Sequence, residues 1–365
     1  MKSHDDTFSA AEKATLRRRL LAWFHANQRD LPWRASRDPY AIWVSEVMLQ
    51  QTQVTAVIPF FIKFLLRFPS IAELAQAHEQ EVLKLWEGLG YYRRARHLHQ
   101  AAQLIVREHA GIFPDKAADA SELPGLGRYT VGAVLSQAFD QRLPIVEANV
   151  ARVVCRLLAW TKELETKETQ DWLWSTAESL LPMKQVGDFN QALMELGQTL
   201  CTTGQPSCLL CPLRDLCRGH ARGLAESLPK RGVKIRQTQV TERAIILRKG
   251  GQVLLCQRPT HAARWANMWE LPTSNSSLDV KTQCQELTGY RCTDARPVGS
   301  LEYGITRFKV TLEVIEAKYQ GGRRQHHAYQ KLVWVKPDQL ADYPLSVPHR
   351  RLAQRYVVDE SPSRP

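Results

Sequence analysis

The chain's 365 residues exceed one ordinary domain and suit two, each able to bury its own core. Residues 47–62 form a long apolar run without a charge, but Gln50, Gln51, Thr52 and Gln53 interrupt it, so a membrane-spanning helix is excluded. A net charge of +12 and a pI near 9.4 favour a polyanionic partner. The charge concentrates from Arg218 to Arg264, where eleven Lys or Arg face two Glu.

The first residues, "MKSHDDTFSAAEK", place no apolar stretch after the first basic residue. No secretory signal is expected there, and the expected compartment is the reducing cytoplasm, or the nucleoid of a bacterial cell. From about Phe8 to about His220 apolar residues recur at helical spacing, as in "AEKATLRRRLLAWFHANQ", "SIAELAQAHEQEVLKLWEGLG", "RARHLHQAAQLIVREH" and "TQDWLWSTAESLLPM". Ser9 and Ser70 suit N-caps, Gly111 follows a helix, and Pro39, Pro114 and Pro124 sit at breaks. This predicts an all-α domain over 8–222. A polar, basic linker is predicted over 223–240 ("GLAESLPKRGVKIRQTQV"). An α/β domain is then predicted over 241–356. Its signals are a hairpin in "ERAIILRKGGQVLLCQRP" turning at Gly250-Gly251, strand-like "RFKVTLEVIEAKY" and "YQKLVWVKP", and a helix around "VKTQCQELTG". The last stretch, 357–365, reads as a disordered tail.

Four sequence features carry chemistry. In "PYAIWVSEVMLQQTQ" a single carboxylate, Glu46, has Ile42, Trp43, Leu49 and Gln50 as its helical neighbours, with no cation to pair with. A carboxyl so placed should have a raised pKa; the bland alternative tips it out into water. In "CTTGQPSCLLCPLRDLC" Cys201, Cys208, Cys211 and Cys217 are spaced C-x6-C-x2-C-x5-C. That spacing suits a [4Fe-4S] cluster better than zinc, which more often shows two C-x2-C hooks; the alternative is four unrelated free thiols. The other four cysteines, Cys155, Cys256, Cys284 and Cys292, are scattered and read as small core residues.

In "SELPGLGRYTVGAVLSQAF", Gly125 and Gly127 make a turn before a helix that starts near Tyr129, and amides at such a helix start can face a DNA phosphate. Glycine turns between helices are common in any helical protein. In "LPIVEANVARVVCRLLAW", Glu147 and Asn149 stand at a helix start. The competing explanation for Glu147 is an acid that complements the helix dipole.

Together these residues resemble the endonuclease III superfamily of DNA glycosylases, and most closely its adenine DNA glycosylase branch, the MutY family. The resemblance runs from "LPWRASRDPYAIWVSEVMLQQTQV" through "LPGLGRYT" and the cysteines to a C-terminal domain similar to Nudix hydrolases. It implies a multi-domain protein: an all-α helix-hairpin-helix domain with an iron-sulfur loop, then an α/β Nudix-like domain. It also implies base-excision repair, acting as a monomer on double-stranded DNA that carries adenine opposite 8-oxoguanine.

On the family pattern Glu46 is the acid that protonates the departing adenine, and Glu147 the carboxylate that stabilises the cationic sugar. The family usually has aspartate followed by glycine at the latter place; this chain has Glu147-Ala148. Tyr129 and Asn149 match residues of the same pocket, with Tyr129 expected to orient Glu147. Lyase members carry a lysine where Tyr129 follows Arg128, so no Schiff-base step is expected. Gln50, Gln51, Thr52 and Tyr91 match wedge residues that fill the space of a flipped base, with Leu49 beside them. Arg29, Trp33, Arg34 and Gln191 match pocket residues, although Trp33 alone would read as core.

The second domain lacks the paired acids of a working Nudix box, retaining only Glu270 and Glu286, so pyrophosphate hydrolysis is not expected. Where the family commonly reads Phe-Ser-His to recognise the lesion, this chain has Ile305-Thr306-Arg307. Two other readings stand beside this one: a glycosylase or lyase of other base specificity, and a catalytically silent DNA-binding protein.

Overall fold

The computed structural model describes residues 7–232, 237–275, 278–324 and 328–358. Contacts divide the chain into two compact units, one of Met1–Ala75 with Gln100–Val233, the other of Gln76–His99 with Lys234–Pro365.

The first unit is helical. Its helices are α1 (Ala10–Asn27), α2 (Pro39–Leu49), α3 (Val54–Arg67) and α4 (Ile71–Gln76). The chain then passes through α5 (Glu79–Leu85) and the start of α6 (Arg93–Glu108), which belong to the second unit, and returns with the rest of α6 to α7 (Ala117–Ser121), α8 (Arg128–Phe139), α9 (Ala148–Leu157), α10 (Lys167–Leu180), α11 (Val186–Thr199) and α12 (Arg218–Ala221). Ser9 and Glu12 form a reciprocal capping box that starts α1, whose Leu16, Leu20 and Phe24 are buried at four-residue spacing. They join Val150, Val154 and Leu157 of α9, Leu173 of α10 and Phe189, Leu193 and Leu196 of α11 in one core. Helix α2 begins with Asp38 capping the amides of Tyr40 and Ala41 and with Pro39 in its first turn, and is buried from Tyr40 to Met48. A helix enclosed on all sides is where an isolated carboxylate is most exceptional.

Two features of the helical region depart from the sequence reading. The periodic stretch 70–90 is two helices rather than one, because His78 leaves the helix and its Nδ1 accepts from Gln80 N (3.2 Å) to cap α5. Moreover, residues 76–99 belong to the second unit: Gln80 bonds Asn267 O (3.0 Å) and Trp269 Nε1 (2.8 Å), and Glu87 pairs with Arg350. These contacts set 76–99 apart from the rest of the predicted 8–222 domain.

The predicted linker is also shorter than expected. Leu228 is buried, Leu164 N bonds Lys230 O (2.9 Å) and Gly232 N bonds Glu165 (2.9 Å), so this stretch is tied to the first unit up to 232. Residues 233–236 lie outside the described residues, and strand starts at Thr238.

The second unit holds a mixed sheet of β1 (Thr238–Lys249), β2 (Gln252–Gln257), β3 (Trp269–Glu270), β4 (Thr273–Ser274), β5 (Tyr290–Ile305), β6 (Phe308–Gly322) and β7 (Lys331–Val335). The order is β3-β2-β1-β6-β5, with β4 on β1 and β7 on β2; β1 and β6 run parallel. The β1–β2 hairpin turns at Gly250-Gly251, both at positive φ, as the sequence predicts. Two buried clusters flank the sheet. Ile246, Leu255, Leu312 and Val314 lie with Leu352 and Val357 near α14 (Val347–Ala353), and Ile245, Leu247 and Leu254 lie with Cys284 of α13 (Val280–Thr288). Val357 is therefore core rather than tail, and a final helical turn runs over Gln354–Val358; residues 359–365 lie outside the described residues.

Candidate active site

Glu46 does not tip into water. It is 5% exposed, and each carboxylate oxygen has one donor: Tyr129 Oη at 2.8 Å from Oε2 and Gln137 Nε2 at 2.9 Å from Oε1. Both partners stand on α8, which packs against α2. Burial pushes the Glu46 carboxyl above its ordinary range; the two hydrogen bonds oppose that, and the charge of Glu147 adds to it.

Tyr129 is thus a partner of Glu46, not of Glu147 as the sequence reading had it. Its hydroxyl donates to Glu46 Oε2, and burial, with the charges of Glu46 and Glu147, holds it well above the usual phenol range. Glu147 is the N-cap of α9. Oε2 accepts from Asn149 N (2.8 Å) and Asn149 Nδ2 (3.0 Å), and Oε1 from Val150 N (2.8 Å). Burial nonetheless raises this carboxyl, outweighing the bonds from Asn149 and Val150 and the charge of Arg152. Asn149 in turn accepts from Arg152 Nη2 (2.7 Å).

A third carboxylate, which the sequence reading missed, gathers two of the predicted pocket residues, Arg29 and Arg34. Glu195 of α11 is 1% exposed and receives Arg29 Nε (2.5 Å), Arg29 Nη2 (2.9 Å) and Arg34 Nη2 (2.9 Å). Burial pulls its pKa up, but the bonds from Arg29 and Arg34 prevail and hold it below the usual value. Gln191, one turn earlier on the same helix, accepts from Arg34 Nε (2.9 Å). The signal was available as a lone acid in "NQALMELG" four residues after Gln191. Trp33 is buried and packs edge-on against Phe61 at 5.4 Å, as a core residue does.

Helix α2 stops at Leu49. Gln50 is its cap residue and reaches Thr130 Oγ1 (3.3 Å), Gln51 is exposed at φ 56°, and Thr52 Oγ1 bonds Gln50 O (3.3 Å). In the hairpin Gly125 takes φ 82°, where a side chain would be strained, and Gly127 is the N-cap of α8. Gly125, Gly127 and Arg128 are exposed, and the Arg128 guanidinium lies over the Trp174 ring at 4.0 Å. Tyr91 belongs to the second unit, half-exposed at φ 48°, with Arg94 over its ring.

Cys201, Cys208, Cys211 and Cys217 line one pocket, together with Arg156, Arg214 and His220. Among the described residues no group of His, Cys, Asp or Glu is arranged to hold a single metal ion, whereas a cubane cluster keeps its thiolates further apart around a larger body. The donor set fits such a cluster, since four thiols line one pocket with the buried Arg156, whose Nη1 is 3.3 Å from Cys201 Sγ. Burial pushes the Cys211 thiol up to about 12, so ligation there has to displace a proton.

In the second unit, Ile305-Thr306-Arg307 is a tight turn: Ile305 pairs with Phe308, Thr306 sits at φ 51° with its hydroxyl on Ile305 O (2.7 Å), and Arg307 lies over Phe308. Glu270 is buried and bonded to Arg258 (2.8 Å and 3.1 Å) and Tyr329 (2.9 Å), while Glu286 is exposed on α13. Glu270 is therefore held in an internal ion pair.

Comparison with known proteins also finds two parts, with residues 76–99 inside the first. A family model described as HhH-GPD superfamily base excision DNA repair protein matches residues 44–178, and one described as NUDIX domain matches 243–355. The adenine DNA glycosylase of Buchnera aphidicola subsp. Acyrthosiphon pisum (strain APS) is 37% identical over 254 residues, spanning 69% of this chain and 72% of that one. The Homo sapiens adenine DNA glycosylase is 34% identical, spanning 85% and 68%. That of Rattus norvegicus is 44% identical, but the match spans 60% of this chain and only 45% of the relative. Among solved structures, a thermostable thymine-DNA glycosylase matches at a TM-score of 0.53 and 27% identity, covering 58% of this chain and 98% of that one. A trapped endonuclease III-DNA covalent intermediate matches at 0.51 and 19% identity, covering 60% and 100%, which supports the fold of the helical part. With a buried carboxyl on α2, a glycine hairpin, a cysteine quartet and relatives of this identity and coverage, the chain belongs to the adenine DNA glycosylase (MutY) family of base-excision DNA repair enzymes.

Proposed function

We propose that this enzyme removes adenine mispaired with 8-oxoguanine, and also with guanine, from double-stranded DNA by acid-assisted hydrolysis of the N-glycosidic bond. The observation that carries the reading is the Glu46 carboxyl, buried in α2 with its pKa raised, which favours the protonated form that an acid catalyst needs. Adenine leaves poorly unless protonated, and Glu46 is the group assigned to that task. Glu147 is assigned to the positive charge that develops on the sugar, by electrostatics or a transient bond. As the N-cap of α9, its carboxylate is oriented by three donors. Tyr129, with no amine, fits hydrolysis without a Schiff-base step.

The remaining roles belong to the same reading. Arg29, Trp33, Arg34, Gln191 and Asn149 line the base pocket; Gln50, Gln51, Thr52, Leu49 and Tyr91 take the place of the flipped base. Gly125, Gly127 and Arg128 hold the phosphate backbone. The Ile305-Thr306-Arg307 turn meets the 8-oxoguanine partner through a hydroxyl and a guanidinium. Cys201, Cys208, Cys211 and Cys217 hold a [4Fe-4S] cluster, which when bound would supply a crosslink among four thiolates of one loop. The protein acts as a monomer, in the cytoplasm or on the nucleoid.

The test is a panel of duplexes with adenine opposite 8-oxoguanine, guanine, cytosine or thymine, incubated with pure protein and then treated with alkali. Strand breaks at adenine opposite 8-oxoguanine, and more weakly opposite guanine, are expected. Equal cleavage of every pair, or breaks without alkali, would overturn the reading.

A further inference from the structure

The two oxygens of Glu46 keep different company. Oε2 faces Tyr129 Oη, which also lies 3.4 Å from Met194 Sδ, whereas among the described residues the hydrogen bond to Oε1 comes from an amide N–H, that of Gln137. Gln137 is itself buried, and its backbone is pinned. A Cβ on Gly187 of α11 would stand 2.5 Å from Ser136 O and 2.8 Å from Gln137 Cα, so α11 rests directly on this turn of α8. Asn190 Nδ2 fastens it further through Ser136 Oγ (3.0 Å) and Leu143 O (2.9 Å).

An N–H can only donate, so the oxygen it faces serves as acceptor whether the carboxyl is neutral or ionised. In the neutral acid this makes Oε1 the carbonyl oxygen and leaves the proton on Oε2. There Tyr129 can accept it while turning its own hydrogen towards Met194 Sδ, and can donate again once Glu46 has lost its proton. We propose that Gln137 is a positioning residue that places the transferable proton of Glu46 on Oε2 and sets the acidity of that carboxyl. This rests on reading Glu46 as the general acid.

The direction of the effect follows from the bond. A donated N–H favours the carboxylate over the acid, so Gln137 opposes the rise that burial causes. The other ionisable groups facing Glu46 are Tyr129 on α8, Glu147 at the head of α9 and Arg34 ahead of α2; none of them changes when Gln137 does.

The experiment compares the parent with Gln137→Met, which keeps length without a donor, and Gln137→Leu. Single-turnover adenine release is followed against pH, and the Glu46 carboxyl of the free protein is titrated by carbon-13 NMR. Both the upper limb of the rate profile and the carboxyl titration should move to higher pH in the variants. The rate at the optimum should fall roughly tenfold to a hundredfold with duplex affinity retained. In the parent, the Gln137 side-chain amide resonance should move together with the Glu46 titration, a measurement that needs no variant. An amide that ignores that titration, or variants whose melting temperature drops while both pH midpoints stay fixed, would overturn the proposal. If only the carboxyl titration moves and Glu46→Gln still cleaves, the assignment of Glu46 as the acid fails while the Gln137 contact stands.

Discussion

Replacing Glu147 separates its two jobs, because the structure allows each to be costed. In Glu147→Gln one oxygen becomes an NH2, and if Val150 N keeps its acceptor, Asn149 N and Asn149 Nδ2 lose theirs. An unsatisfied donor pair at a partly buried cap costs about 1–3 kcal/mol, which for a unit of this size lowers the melting temperature by roughly 3–10 °C. Loss of the negative charge acts on the reaction instead, where one such electrostatic contact is worth about 3–4 kcal/mol, or roughly 10²–10³ in rate. Glu147→Asp keeps the charge and supplies a residue preferred at N-caps, so its melting temperature should stay within about 2 °C of the parent and its activity should be substantial. Thermal melts and single-turnover cleavage of a duplex with adenine opposite 8-oxoguanine give both readouts. If Glu147→Gln melts lower but cleaves as fast as the parent, Glu147 is only a cap. If Glu147→Asp is as inactive as Glu147→Gln, the backbone here is matched to the longer side chain.

Glu46→Gln should melt higher than the parent at neutral pH. The folded carboxyl titrates above its ordinary 4.5, so the parent loses stability as pH rises from 4.5 through the folded value, and the gap should close below about 4.5; a gap independent of pH would contradict the burial argument. Anaerobically purified protein should be brown and carry about four iron atoms per chain, and stoichiometric zinc without iron would contradict the cluster. Affinity for undamaged duplex should drop at least tenfold between about 50 and 200 mM salt, whereas a flat response would leave the basic charge as surface charge alone. Glu270→Ala should cost about 3–5 kcal/mol of stability in denaturant melts, because Arg258 would lose its partner; a change under about 1 kcal/mol would refute the internal ion pair.

Local signals carried much of the fold. The capping box at Ser9, the Pro39 start of α2 and the Gly250-Gly251 turn are written in neighbouring residues and stand where the sequence puts them. The long strand β5 was illegible because its register shifts at Thr293/Arg296 and Pro297/Gly299 and it buries only Cys292, so no alternation survives. The break at His78 depends on an imidazole acting as a cap, which periodicity does not register. At the candidate site, Glu46 was legible because a lone acid in an apolar helix stands out, and the structure buries it. Its partners were not. Tyr129 and Gln137 lie 83 and 91 residues away, and only the packing of α8 on α2 decides which carboxylate Tyr129 meets. Glu195 was missed for the same reason, since it is recognised by the arginines it gathers from the loop between α1 and α2.

The measurement closest to the central claim is single-turnover adenine release by Glu46→Gln on a duplex with adenine opposite 8-oxoguanine, with binding of the same duplex measured alongside. The amide keeps the shape of the carboxyl but has no proton to deliver. Binding within about threefold of the parent, with release slower by roughly 10²–10⁴ or more, is the predicted result. Release at a near-parental rate would contradict the account and remove Glu46 from the chemistry.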